Sequence, residues 1–426
     1  MSGRTVGQAD GQTGGRSVLA VMTLLIGCHA ALAAQSIAIT GGTVFPVSGP
    51  KIERGTVLIR DGKIMAVGAN VTIPADAQRV DATGKWVTPG LIHAASRAGL
   101  SVSSLFNFSE SSVQGDVNPS FSPLEGVDPL ALTIAQTRTG GVTTAVLTPG
   151  GSFLPGTAAV IDLAGEELPD LAVSNRTALV LLLTDESKEA GGGSRAGTLA
   201  RLRRLFADAL EYDKRKGDYQ RAQIQTLAAP AKELEALLPA LHGQMPVYVV
   251  ANRRMDIENA LRLKREYHLK MVLQGGVEAW LVAKQLAAAG VPVVVEPMRD
   301  IPSFDGLQAR LDIATVLHDA GVEVIIAQGD AGGDRNLRWI AGNAVRNGLG
   351  WDEALKSITL SPARVFGLAD RGSLDAGQVA NVVIWSGDPL DFASAPDAVY
   401  IRGQAQRLRT RETELFERYR KLPPQR

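Results

Sequence analysis

From Ile37 onward the chain alternates apolar and polar positions in short runs, first IAITGGTVFPV and then TVLIRDGKIMAVG. The second run breaks at Asp61-Gly62, a pair that supplies the positive backbone angles of a tight two-residue turn, and so predicts a β-hairpin. Near the other end, GSLDAGQVANVVIWSGDPL and AVYIRGQ read as short strands cut by Gly, Asp and Pro. Neither end has enough strands to bury a face alone. The two are therefore expected to combine into one small β-sandwich beside the middle of the chain.

The middle has a different rhythm. GVTTAVLTPG, TALVLLLTD, PVYVVANR, KMVLQGG, VPVVVEP and GVEVIIAQGD are Val-, Ile- and Leu-rich and bounded by Gly, Pro or polar residues. Such runs suit strands buried on both faces. Between the last four lie the amphipathic segments MDIENALRLKREYH, EAWLVAKQLAAAG and FDGLQARLDIATVLHDAG. Strand starts fall roughly 20 to 30 residues apart, the spacing of parallel βα units. No glycine-rich phosphate turn opens the series, which favours a closed barrel over an open sheet. The expected fold class is α/β: a parallel TIM-like (β/α) barrel over residues 88–360, with a composite β-sandwich domain from 36–87 and 365–408. The charge-rich helical stretch Leu199 to Leu241 is expected to leave the barrel as an excursion, with Gly191 to Ser194 as a flexible joint. The terminal run QRLRTRETELFERYRKLPPQR reads as an exposed charged helix and tail.

Upstream, Val18 to Ala34 follows Arg16 and ends in small residues, the form of an export signal over 1–33. Its apolar centre, Val18 to Gly27, is shorter than the roughly 20 residues that a spanning helix needs. No transmembrane segment is expected. Two processing routes stay open. Ala31-Leu32-Ala33 would release a soluble chain near Ala34 to the periplasm, whereas Leu25-Ile26-Gly27-Cys28 matches a lipobox that would anchor the chain through Cys28. Cys28 is the single cysteine, so disulfides play no part.

Lys plus Arg and Asp plus Glu both number 44, giving a formal charge of zero, and aromatics are 5%. A basic groove or a base-stacking platform for nucleic acid is therefore not expected, and the partner is a small molecule.

In a parallel barrel the chemistry gathers at the carboxyl ends of the strands. There GKWVTPGLIHAASRAGL closely resembles the start of the barrel in the amidohydrolase superfamily, typically V-x-P-G-L-I-D-x-H-x-H. ITGGTVFPV with GTVLIRDGKIMAVG, and ITLSPARVFGLADRGSLDAGQVANVVIWSGDPL, resemble the split sandwich of its imidazolonepropionase-like branch. IIAQGDAGGDRNLRWIAGNAVRNGLGWDEALKSITLSPARVFGL resembles that branch's last strand and following helices.

The resemblance implies metal-dependent hydrolysis of carbon–nitrogen bonds other than peptide bonds. In that chemistry a divalent ion brings a bound water to a pKa of about 7 and an Asp moves the proton. It further implies a His-x-His pair on the first strand, histidines after two middle strands and an Asp on the last. Here those positions hold Ala95 and Arg97, a residue near Asn252, Gln274 or Gly275, and Asp330. Only Asp330 matches in kind, as the general-base position. His93 stands where the family has the Asp before His-x-His, which suggests a supporting role.

The residues say the same without alignment. Past the signal, the histidines are His93, His242, His268 and His318, and the last three fall in helices or a connection away from the mouth. Arg97 has no lone pair for a metal but can hold a carboxylate bidentately; it can also pair internally with Asp330 or Glu296. Asp185 and Glu186 with Glu296 offer oxygen ligands suited only to a hard ion. The expected pocket is His93, Arg97, Asn252, Gln274 and Glu296 beside Asp330, with no metal ligand set and no cofactor. Two functions stay open: a hydrolase with a degenerate metal site, needing a divalent ion, or a catalytically inactive binding or scaffold protein whose arginine-lined pocket takes a small, anionic ligand.

Overall fold

The computed structural model describes residues 36–103, 106–221, 227–298, 304–328 and 333–420. The export-signal region with Cys28, and the candidate base Asp330, lie outside them.

Both chain ends contribute to one eight-stranded sheet. Its order is Gln404–Ala405, Pro396–Ile401, Val382–Trp385, Trp86–Pro89, Ile37–Val44, Ile52–Arg60 and Lys63–Gly68, with Gln78–Asp81 also paired to Ile37–Val44. The ends join where Val382–Trp385 runs antiparallel to Trp86–Pro89, Trp385 opposite Trp86. The hairpin forms at the expected pair, with Asp61 at φ 51 and Gly62 at φ 73. Ile39, Val57, Ile59, Val87, Val382 and Ile384 form the buried core under this sheet.

A second eight-stranded ladder makes the barrel: Leu91–Ser96, Val142–Leu147, Gly156–Asp162, Ala172–Leu182, Val247–Ala251, Met271–Gly275, Val293–Val295 and Val324–Ile326, here the first to eighth barrel strands. Alternation sorts their side chains into two layers. Ile92, Val146, Val160, Val180, Tyr248, Val272, Val294 and Ile325 fill the interior, while Leu91, Leu147, Ile161, Leu181, Val249, Leu273, Val295 and Ile326 face the surrounding helices. Ala363, Phe366 and Leu368, from the segment after the last barrel helix, join the inner layer.

Three expectations need correction. The barrel is mixed rather than parallel, because the third strand is antiparallel to both neighbours. The stretch between Leu147 and Gly156 is too short for the dozen or so residues of a parallel crossover, so the chain simply turns back. The stretch Leu199 to Leu241 does not leave the barrel either. Helices Arg195–Lys214 and Ala231–Leu241 insert Leu202, Leu205, Phe206, Ala209, Leu234 and Leu237 into the outer layer, forming the crossover between the fourth and fifth strands. Gly191 to Ser194, expected as a joint, is a shaped cap: Gly192 and Gly193 take φ 70 and 88, and the Ser194 hydroxyl accepts the Gly197 N–H at 3.1 Å. The helix Arg411–Tyr419 is exposed throughout, as its charge pattern predicts. No helix among the described residues is long and apolar enough to cross a membrane.

The barrel meets the composite sheet through buried ions. Asp162, at the end of the third strand, accepts from Arg371 Nη1 at 2.6 Å, Thr144 Oγ1 at 2.8 Å and Asn381 Nδ2 at 3.4 Å, with Arg402 Nε at 3.9 Å. Asp162 is 1% and Arg371 6% exposed. Burial raises the Asp162 carboxyl above its ordinary pKa, against the pull of Arg371.

Candidate functional site

The end of the first barrel strand is held at four successive residues. Ala95 N–H donates to His93 Nδ1 at 3.3 Å, and Tyr248, wholly buried between strands, donates its hydroxyl to the Ala94 carbonyl at 3.1 Å. Burial pushes the Tyr248 phenol well above its ordinary pKa, so it stays a donor. The Ser96 hydroxyl donates to Asp334 Oδ2 at 2.5 Å and accepts the Ala98 N–H at 3.0 Å. Leu100 N–H donates to the Arg97 carbonyl at 3.0 Å. The backbone that presents Arg97 is thus fixed on both sides. The strand pairing slips between His93 and Ser96, and both Ala94 and Ala95 pack with the inner layer.

His93 faces a different group with each ring nitrogen. Nδ1 takes the Ala95 N–H, which leaves the ring proton on Nε2, 3.5 Å from Asp334 Oδ1, and the ring is completely buried. Asp334, 2% exposed, opens the short turn before the helix Leu337–Arg346. It ties that turn to the first strand through both His93 and Ser96. Sequence reasoning missed it, because Asp330 four residues earlier matched the expected pattern and drew the attention.

Arg97 is half-buried and makes no ion pair among the described residues, so the internal pairing with Glu296 does not form. Asn252 directly follows the fifth strand and is 6% exposed. Its Oδ1 is buried with no hydrogen-bond partner among the described residues and sits 2.3 Å from where a Cβ on Gly275 would be. Gly275, at φ 88, is therefore required twice over, by its backbone angle and by the amide above it. Gln274 lies opposite Val250 and Val294, and Glu296 directly follows the seventh strand, so Asn252, Gln274 and Glu296 occupy three neighbouring strand ends. Glu296 and Gln328, past the eighth strand, each have an interaction partner.

Asp185 and Glu186 do not converge with these residues. Asp185 is bound to Lys188 at 2.6 Å and Arg195 at 3.1 Å, and its hydrogen bond to Lys188 holds the carboxyl below its ordinary pKa. Arg195 reaches on to Asp256, 3% exposed, at 2.8 Å. His242 pairs with Asp213 at 3.2 Å, His268 caps a helix at φ 54, and His318 lies in the last turn of Ile313–Asp319.

Among the described residues, no group of three or more His, Cys, Asp or Glu is placed to hold a metal ion. The donor chemistry explains why. At the first-strand positions stand a methyl group and a guanidinium, neither of which donates a lone pair. The nearby His93 turns Nδ1 to the Ala95 N–H and Nε2 toward Asp334. The described residues do not fit a His-x-His metal centre.

The Amidohydrolase family model matches residues 242–405. The chain is 26% identical over 392 residues to amidohydrolase tasK of Hapsidospora irregularis, covering 83% of this chain but only 39% of that protein's length. It is 24% identical to imidazolonepropionase of Mesorhizobium japonicum, over 83% of this chain and 90% of that one. A crystal structure of an amidohydrolase from Thermotoga maritima superposes with a TM-score of 0.80 at 28% identity, over 88% of this chain and all of that chain. With the split sheet, the barrel and these relatives together, the chain is similar to the amidohydrolase superfamily and to its imidazolonepropionase-like branch.

Proposed function

We propose that this protein binds a small anionic ligand at the barrel mouth through Arg97, in place of the metal-assisted hydrolysis that the family name implies. The observation that carries this reading is the setting of Arg97: a half-buried guanidinium on a fixed backbone, without an ion pair among the described residues, at a position where the family carries a metal ligand. A guanidinium presented in this way suits a carboxylate, which it can grip with two parallel hydrogen bonds. Asn252 adds an amide whose Oδ1 lacks a partner among the described residues, so a carboxylate that also bears an amide N–H is the ligand class of choice.

Calorimetric titration of the purified chain with small carboxylates, with and without an amide group, tests the proposal. Binding that falls about tenfold or more in Arg97→Ala supports it, that being the cost of losing one charge-assisted contact. Zinc bound near one equivalent, and lost on Asp330→Ala, would transfer the reading to a hydrolase. That second reading is favoured by the Thermotoga relative, which this chain covers in full, and by the carboxylate Glu296 directly after the seventh strand. Its own test is hydrolysis of a cyclic amide with added zinc or manganese.

The same reading carries export through residues 1–33. Mass spectrometry of the mature amino terminus separates a start near Ala34 from a lipidated Cys28, and an intact Met1 in the exported fraction rejects both.

A further inference from the structure

At the opposite end of the barrel, where the parallel strands begin, a concavity of about 520 Å³ opens across the fourth to seventh strands. Four cations line it: Arg176 just before the buried part of the fourth strand, Lys264 at the end of a helix, Lys270 just before the sixth strand, and Arg364 in the helix Leu360–Val365. They come from three distant parts of the sequence, and among the described residues no acidic side chain shares the lining. In a chain of zero net charge this is a local departure rather than a general basicity.

Part of that charge has local work. Arg176 donates to the Ser120 carbonyl at 2.6 Å and Lys264 to the Leu269 carbonyl at 3.1 Å. Both contacts are to neutral carbonyls and leave the charge uncompensated. Lys270 and Arg364 are exposed and form no ion pair among the described residues. The adjoining groove, which shares Arg364, holds Glu323 and the pair Glu353 with Lys356 at 3.2 Å; neither acid forms an ion pair with the four cations among the described residues. The base of the concavity is apolar, from Met271, Pro292 and Phe366. Phe366 is locked by the Thr177 hydroxyl, which donates to its carbonyl at 2.9 Å.

We propose that this concavity is a binding site for an organic polyphosphate, distinct from the mouth and independent of the function proposed there. Four uncompensated positive charges around one cavity match a ligand carrying three to four negative charges better than a single carboxylate, and two arginines supply forks for phosphate oxygens. The volume is that of a small-molecule site, and the apolar base accommodates the organic body.

The test titrates the full chain with ATP and, separately, with inorganic pyrophosphate at about 0.15 M salt, where exposed charges are screened beyond a Debye length. The expected result is saturable one-to-one binding of ATP, tighter than pyrophosphate, that falls at least tenfold in Lys270→Gln/Arg364→Gln. Both residues are exposed, so this variant folds; its circular dichroism and melting temperature check that it does. Arg97→Ala should leave ATP binding unchanged. No saturable binding, equal binding by the double variant, or loss on Arg97→Ala would each overturn the proposal. In that event the four cations act only within the protein, as Arg176 on the Ser120 carbonyl and Lys264 on the Leu269 carbonyl already do, and the double variant would lower the melting temperature alone.

Discussion

Two of the places where the barrel carries buried polar groups are solved differently. Where the barrel meets the composite sheet, Asp162 receives Arg371, Thr144 and Asn381, with Arg402 close by. Every partner belongs to the protein. At the mouth, Arg97 makes no ion pair among the described residues and Asn252 Oδ1 has no partner. A buried group left without a partner costs free energy that a fully satisfied one does not. The junction is therefore architecture, complete without any ligand, whereas the mouth is the place where completion by another molecule would release free energy.

The largest expected effect comes from breaking the complete network. Arg371→Met leaves Asp162 as a buried carboxylate without its closest cation, and removal of one partner of such a pair costs about 3–5 kcal/mol. Urea denaturation of variant and wild type would measure it. A loss below about 1 kcal/mol would mean that Asn381, Thr144 and Arg402 carry the charge without Arg371.

A smaller loss is expected at Asp334. Replacing it by Ala removes the acceptor of the buried Ser96 hydroxyl and the carboxylate facing His93. One or two buried donors left unmade cost about 2 kcal/mol. Because the same residue fixes the backbone before Arg97, ligand binding at the mouth should weaken along with stability, which Arg371→Met should not cause in the folded protein.

These two sites also mark how far the sequence was legible. The hairpin at Asp61-Gly62, the pairing of both chain ends and most barrel strands follow from local pattern, because each is written in neighbouring residues. The third barrel strand was not visible: GTAAVID is rich in small residues, shows no alternation, and is buried at all positions. Only the short return from Leu147 gives it away. Asn252, Gln274 and Glu296 were placed at strand ends because strand ends can be read from apolar runs. Asp334 and Asp162 could not be found that way, since their partners Ser96 and Arg371 lie 238 and 209 residues distant, and nothing local announces such contacts.

The pH dependence separates the two places further. Burial holds the Asp162 carboxyl above its ordinary value of 3.8 in spite of Arg371. A folded pKa raised in this way contributes stability that is fully present below the unfolded value and is lost as pH rises through the folded value. The stability of wild type relative to Asp162→Asn should therefore decline as pH is raised from below 3.8. Denaturation series at several pH values give the slope. A rising difference would show that Arg371 outweighs burial.

The smallest effect on stability is expected at Arg97, and its smallness is the point. The side chain is half-buried and unpaired among the described residues, so Arg97→Ala removes no protein ion pair and should change stability by no more than about 0.5 kcal/mol. Losing the guanidinium from beside the buried first-strand end can even relieve desolvation. Binding of a small carboxylate should fall about tenfold or more in the same variant, because the lost contact is made only to the ligand. Thermal melts with and without ligand read both quantities in one experiment: the unliganded midpoints coincide, while the ligand-induced rise seen in wild type shrinks or vanishes. If Arg97→Ala instead lost stability on the scale of Arg371→Met, Arg97 would be a structural cation whose partner lies outside the described residues, and the contrast between the two places would fail.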